Sequence, residues 1–213
     1  MTEPASIYIA CPIYGDPSAP FFETMLRIVT AKTRHRIVFQ PQYDVAMVHR
    51  SRDVLASLFL AQGDCEWLLM TDSDMQFAME DIERLLGRGK HLIGGLYHKR
   101  FKTPAPEYVL NALPGRSFDP ADGEVQEVRY TGTGFMLIHR SVLERMRAAY
   151  PEIEYFPDAN EAGGPRWNFF WSGIRDKRFL SGDWGFCQRW LDMGEKVYVD
   201  CGRKLPHHGR GVY

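Results

Sequence analysis

Two carboxylates one residue apart, Asp72 and Asp74 in Thr71-Asp72-Ser73-Asp74, follow the apolar run Trp67-Leu68-Leu69-Met70. At the end of a buried strand such a pair repels itself, and each member raises the other's pKa. A divalent cation reverses that penalty, and oxygen ligands suit Mg²⁺ or Mn²⁺. The competing assignment is a strand-end turn in which Asp72 or Asp74 caps a helix beginning near Met79. A third acid, Asp183, stands in Ser181-Gly182-Asp183-Trp184-Gly185, at the predicted start of another helix. There it suits an N-cap. Beside a sugar-binding aromatic such as Trp184 it also suits a general base acting on an acceptor hydroxyl. His207-His208-Gly209 reads either as a solvated tail or as an imidazole folded back over a carboxylate-bound cation.

Weaker signals surround these. Thr131-Gly132-Thr133-Gly134-Phe135 opens no helix and lacks the lysine of a phosphate loop; its glycines suit close backbone approach to a ligand, or a bulge. Arg52 and Asp53 fall inside a predicted helix, either as a surface ion pair or as contacts to a nucleotide base or ribose. Lys99, Arg100 and Lys102 form one basic cluster and Arg203, Lys204 and Arg210 another; each reads first as a solvated face, and each can neutralise phosphates. The aromatic run Arg166-Trp167-Asn168-Phe169-Phe170-Trp171 is either an acceptor platform or lid, or a packed loop.

The elements that must position these residues alternate in the first hundred positions. Strands are predicted at 7–11, 36–40, 66–71 and 91–95, and helices at 19–32, 48–61 and 79–88. In the first helix Phe22, Met25, Leu26 and Val29 are spaced for one buried face. Strand–helix alternation with short connections argues for a parallel sheet covered on both sides, whose ligands bind beyond the carboxyl ends of the strands. That rule puts Pro12, Tyr14, Asp72, Ser73 and Asp74 at the mouth of a site. The second half predicts strands at 105–110, 125–130, 135–139 and 196–200, helices at 141–150 and 183–193, a long loop over 152–177 and a basic tail over 204–213.

The composition fits one domain. A chain of 213 residues, 45% hydrophobic and 25% charged, lies within the roughly 100–250 residues of an ordinary single domain and can bury a core without staples. Twenty-six basic against 27 acidic side chains give no bulk reason for tight nucleic-acid binding. Apolar runs are far too short to span a membrane, and the first residues carry no secretory signal. Cys11, Cys65, Cys187 and Cys201 are scattered without CxxC spacing, which argues against a disulfide framework or a cysteine zinc site. A cytoplasmic protein with reduced thiols is the expectation.

In order along the chain, Cys11-Pro12-Ile13-Tyr14-Gly15, Ser51-Arg52-Asp53, Leu68 to Asp74, Gly132-Thr133-Gly134-Phe135-Met136-Leu137-Ile138, Ser181 to Cys187 and His208-Gly209 resemble a GT-A glycosyltransferase of the small family-2-like or Anp1-like bacterial and phage type. The resemblance covers nearly the whole chain. It implies an α/β, Rossmann-type three-layer sandwich with a mostly parallel central sheet and a smaller antiparallel sheet on the acceptor side. It implies one domain over 1–213, with 1–100 binding a nucleotide sugar and 101–213 binding the acceptor and ending in a metal-ligand tail. Pro12, Tyr14 and Arg52 would border the nucleoside, with Ser73 beside them. Asp72 would contact the ribose or the metal shell, Asp74 would bind the Mn²⁺ or Mg²⁺ that bridges the diphosphate, and His208 would be a further ligand. Gly132, Thr133, Gly134 and Trp184 would face the sugar or acceptor, and Asp183 matches the base of inverting members, although the fold also includes retaining enzymes. The donor would be a nucleoside-diphosphate sugar, UDP ahead of GDP, and the acceptor a glycan or modified DNA. This chain has Gly182 where the family often has Glu, and Asp53 where Asn is common.

Two other functions compete with this one. A haloacid-dehalogenase-like phosphohydrolase would use Asp72 as nucleophile and Asp74 as acid, but that family carries its pair on the first strand, with Thr or Val where this chain has Gln76. A non-catalytic sugar-nucleotide or glycan-binding module would tolerate loss of Asp72, Asp74 or Asp183, and all three are present.

Overall fold

In the computed structural model, which describes residues 3–44, 46–100, 107–157 and 163–209, the first half alternates as its periodicity predicts. In order come β1 (Ser6–Pro12), α1 (Ala19–Thr30), β2 (Arg36–Gln42), α2 (Val48–Gln62), β3 (Trp67–Thr71), α3 (Met79–Gly87) and β4 (Leu92–Tyr97). The second half holds β5 (Leu110–Asn111), β6 (Val125–Val128), β7 (Tyr130–Thr131), β8 (Phe135–His139), α4 (Arg140–Ala149), β9 (Glu154–Tyr155), β10 (Arg166–Trp167), β11 (Gly173–Arg175), β12 (Arg178–Leu180), α5 (Gly182–Asp192) and β13 (Val197–Leu205).

Seven strands form the central sheet in the order β2-β1-β3-β8-β4-β13-β6. β1, β2, β3, β4 and β13 point one way, and β8 and β6 run antiparallel to them. Side chains alternate across the pleat, so β1 sends Tyr8 and Ala10 into one core and Ile7 and Ile9 into another. The Tyr8 side is covered by α2, α4 and α5 through Leu55, Phe59, Val142, Met146, Phe186 and Trp190. The Ile7 side is covered by α1 and α3 through Phe21, Met25, Ile28, Ile82 and Leu85. The result is a Rossmann-like three-layer α/β sandwich. Its four cysteines are free thiols and all are buried, and no helix among the described residues is long and apolar enough to cross a membrane.

Several boundaries differ from expectation. The buried face of α1 is Phe21, Thr24, Met25 and Ile28, while Phe22, Leu26 and Val29 are exposed. The helix carries two apolar stripes about 100° apart, and packing against the sheet buries the first, while the Ser18 hydroxyl caps the helix by accepting the Phe21 N–H at 3.2 Å. The predicted strand at 125–130 splits at Arg129, so that β6 edges the main sheet while β7 pairs with β5. Of the strand predicted at 105–110, positions 105 and 106 lie outside the described residues and the pairing is found at Leu110–Asn111. Instead of one small antiparallel sheet, the described residues form three two-stranded ones, β5/β7, β9/β10 and β11/β12, and the last two break up the predicted long loop. β13 runs on to Leu205, through a register shift between Asp200 and Lys204, where the sequence suggested an end at Asp200.

Candidate active site

The carboxyl ends of β1, β3, β4 and β13 and the amino end of the antiparallel β8 share one edge of the sheet. That edge therefore gathers Pro12, Asp72, Tyr97, Gly134 and the residues after Leu205. α2 and α5 also begin there, and helix N-termini carry partial positive charge.

Arg52 projects from the second turn of α2 and donates from Nη2 to Asp72 Oδ1 at 2.7 Å. Arg52 is buried, whereas the Asp72 side chain is about one-third exposed. Burial works against the Arg52 charge, but Asp72 first and Asp183 next outweigh it and raise its pKa. The guanidinium thus answers to two of the three acids singled out from the sequence. The Asp72 N–H also donates to Gly134 O at 3.2 Å, which fixes the acid turn to the start of β8.

Asp74 turns the other way. Its Oδ2 accepts from Arg100 Nη1 at 2.6 Å, and its Oδ1, buried and without a hydrogen bond, lies 3.3 Å from His207 Nε2. His207 is buried, which works to lower its pKa, but Asp74 and the His98 carbonyl, 2.8 Å from Nδ1, reverse the sign and raise it. The histidine on the acid pair is therefore His207. The His208 ring meets Gln76 Oε1 at 2.9 Å, and only the His208 backbone N–H reaches Asp74, at its carbonyl. Successive residues of an extended segment face opposite sides, and the bridge between Met75 and His207 settles which one faces in. The helix-cap alternative for the acid pair also fails: the group that accepts the Ala78 N–H at the start of α3 is Asp81, at 2.8 Å.

Among the described residues no three His, Cys, Asp or Glu side chains converge into a closed metal site. A Mg²⁺ or Mn²⁺ ion held by one or two carboxylates together with substrate phosphates needs no such cluster. Asp72 and Asp74 offer hard oxygens for that mode, and Asp74 Oδ1, buried with only the ion-pair contact to His207, fits a cation.

The glycines at 132 and 134 have a definite reason. A Cβ on Gly132 would stand 2.3 Å from Tyr97 Oη, and one on Gly134 2.7 Å from the same atom. The close approach expected for a ligand is made by this phenol, which accepts the Gly134 N–H at 2.9 Å. Burial, then Asp72 and Asp183, push the Tyr97 pKa well above the ordinary phenol value, so Tyr97 stays neutral beside the acids. Thr133 is buried between the two glycines.

Asp183 lies in the first turn of α5 but is not its N-cap; Ser181 is. The Asp183 carboxylate accepts from the Ser181 hydroxyl and from the Trp184 N–H. A Cβ on Gly182 would stand 2.7 Å from His49 Cβ, and one on Gly185 1.8 Å from Trp171 O, so both glycines let α5 seat directly on α2 and on the 168–171 segment. Trp184 stacks on Tyr130 with ring centroids 5.8 Å apart, and the Arg178 guanidinium lies 4.7 Å from its ring. The aromatic run is a packed loop: Phe169 and Phe170 are fully buried, and Phe170 stacks on Phe186 at 4.6 Å. Asp53 holds that loop, accepting from Phe170 N–H at 2.7 Å and Asn168 Nδ2 at 2.8 Å. Arg52 and Asp53 are thus both buried and serve different partners, which corrects the surface ion pair.

Pro12 is part of β1, and Tyr14 stands almost fully exposed beyond it. Ser73 contributes its carbonyl, which accepts the Ser18 N–H at 2.9 Å. Lys99 pairs with Glu107 and Arg203 with Asp81, while Lys102 and Arg210 lie outside the described residues. Sequence reasoning passed over Tyr97 and gave Arg100 a solvated face or phosphate neutralisation, not a partner in Asp74, although both residues follow from the rule that strand ends make the site.

No family model and no curated protein matches this chain. Among solved structures it is similar to the crystal structure of A197 from STIV, with a TM-score of 0.58 at 16% identity, over 95% of this chain and 85% of that one. At that identity the likeness bears on the fold.

Proposed function

We propose that the protein is a glycosyltransferase that takes a sugar from a nucleoside diphosphate, UDP ahead of GDP, with Asp183 as base. The observation that carries this reading is the position of Arg52, hydrogen-bonded to Asp72 and within electrostatic reach of Asp183. It joins a diphosphate-side acid and a candidate base at one sheet edge. Arg52 and Arg100 bring two guanidinium groups to the acid pair, and guanidinium forks match phosphate oxygens. The resemblance to GT-A enzymes in the ordered motifs supports the same roles.

In this scheme Asp72 and Asp74 would hold the cation, with His207 beside Asp74. When bound, the cation supplies Lewis-acid stabilisation of the leaving diphosphate. Asp183 takes the proton from the acceptor hydroxyl as the bond from that oxygen to the anomeric carbon forms. The bond from the anomeric carbon to the diphosphate oxygen breaks, and its electron pair departs with the diphosphate. Arg52 holds Asp72 in place, Tyr14 offers an exposed ring to the nucleoside, and Tyr97 fixes the Gly132–Gly134 backbone behind the site.

A thermal-shift panel of nucleoside diphosphates and nucleotide sugars, with and without Mn²⁺, tests the reading. At least one diphosphate with Mn²⁺ should raise the midpoint by about 5 °C or more at ~100-fold excess over its Kd. A panel without any such shift would overturn it.

A further inference from the structure

On the neighbouring face of α2 lies a cleft of about 580 Å³ that the donor-side scheme does not use. Such a volume falls within the ~300–1,000 Å³ of small-molecule sites. Residues 49 and 53 of α2 line it, while residue 52, about 100° from residue 53 around the helix, faces the acid pair. The cleft and the Arg52–Asp72 pair are thus on adjacent faces of the same turns. His49, on the cleft wall, packs against Gly182, so closely that a Cβ there would stand 2.7 Å from His49 Cβ. Asp183, the proposed base, is not on the cleft wall but follows that contact by one residue along α5.

We infer that this cleft binds the acceptor, and that the acceptor it takes is a neutral sugar or other polyol, not nucleic acid. The inference rests on the glycosyltransferase reading. Its chemistry comes from the walls. Asp53, Glu152 and Glu154 stand against Arg50 and Arg189, so the walls carry no excess of positive charge to hold phosphates, whereas nucleic-acid sites are markedly cationic. Asp53 and Arg189 are committed to the 168–170 segment, which leaves the exposed Glu152 and Glu154 as carboxylate acceptors for hydroxyls. Phe156, on the rim, is 72% exposed, and a solvent-facing ring beside charged groups suits the C–H face of a sugar.

Saturation-transfer NMR on the full chain tests this with three separate probes, methyl β-D-glucopyranoside, methyl β-D-galactopyranoside and methyl α-D-mannopyranoside, and with a short DNA duplex in a fourth sample. At least one glycoside should receive saturation from the protein. Phe156→Ala and Glu154→Gln should each weaken that signal's affinity about tenfold, with circular dichroism unchanged. No transfer to any glycoside, transfer indifferent to both substitutions, or binding of the duplex alone would each overturn the inference. Stabilisation by UDP with Mn²⁺ is recorded on the same samples. Its absence in the unsubstituted protein would sink the donor reading while a glycoside signal lost in both variants would still locate a sugar site in the cleft.

Discussion

Arg52 Nη2 and Asp72 Oδ1 lie 2.7 Å apart, the arginine buried in the second turn of α2 and the aspartate at the open end of β3. The pair joins a helix to the acid turn across 20 residues of sequence and leaves Arg52 Nε buried without a partner. Removing one member of a buried pair strands the other, but Asp72 can recover water through its exposed third. Arg52→Met should therefore cost about 1–3 kcal/mol of stability. Urea denaturation of Arg52→Met, Asp72→Asn and the double variant measures the coupling. Strictly additive losses would mean that the two side chains do not act as a pair.

Gly185 has Trp171 O where its Cβ would be, at 1.8 Å, and the obstacle is backbone. Gly185→Ala must push α5 away from the 168–171 segment and carry Asp183 with it, so a loss of about 2–4 kcal/mol is expected together with loss of transfer. Gly164, with nothing within 4 Å, supplies the control, and Gly164→Ala should change stability by less than ~0.5 kcal/mol. Equal melting curves for the two variants would refute the packing account.

These relationships were unevenly legible in the sequence. The strands β1, β3 and β4 announce themselves as short apolar runs, and the end of β3 at Thr71 leaves Asp72 and Asp74 at the carboxyl edge of the sheet. The insertion of β8 between β3 and β4 could not be read, because strand order is decided by long-range pairing and not by local period. The rotation of α1 cannot be read locally, because Phe21 and Phe22 offer two apolar stripes and only packing chooses between them. Arg52 and Asp53 were visible as a charged pair inside an apolar helix, but their separate partners, Asp72 and the 168–170 segment, come from distant parts of the chain. His207 and His208 differ only by which side of an extended segment they face, a parity that the bridge to Met75 fixes.

Asp53 provides a pH signature. Burial, opposed by hydrogen bonds from Phe170 and Asn168 and by the charge of Arg189, raises its pKa from 3.8 to about 7. A carboxyl whose folded pKa is raised contributes stability that is complete below pH 3.8 and is lost as pH rises through about 7. Asp53→Asn cannot ionise, so its stability relative to the unsubstituted protein should climb by a few kcal/mol across that window. The difference between two sets of urea midpoints isolates this residue from the other carboxylates. A flat difference curve would show that Asp53 titrates normally.

Asp74 stands between Arg100 on Oδ2 and His207 on the buried Oδ1. If the proposed cation binds there, Asp74→Ala should abolish the Mn²⁺-dependent part of nucleoside-diphosphate binding, measured by calorimetry, while metal-free binding changes little. Equal Mn²⁺-dependent affinity in the variant and the unsubstituted protein would remove Asp74 from the cation site.

Asp183 separates binding from chemistry. Its carboxylate is held by the Ser181 hydroxyl and the Trp184 N–H in the first turn of α5, bonds that an asparagine oxygen can still accept. Asp183→Asn should therefore fold normally and bind a nucleoside diphosphate as the unsubstituted protein does. An amide cannot take the acceptor proton, and loss of general-base assistance costs roughly 10²–10⁴-fold in rate. Transfer should fall by that factor with the donor KM nearly unchanged. Transfer at full rate by Asp183→Asn would end its role as base, whereas a lost donor affinity would move Asp183 to the binding side of the site.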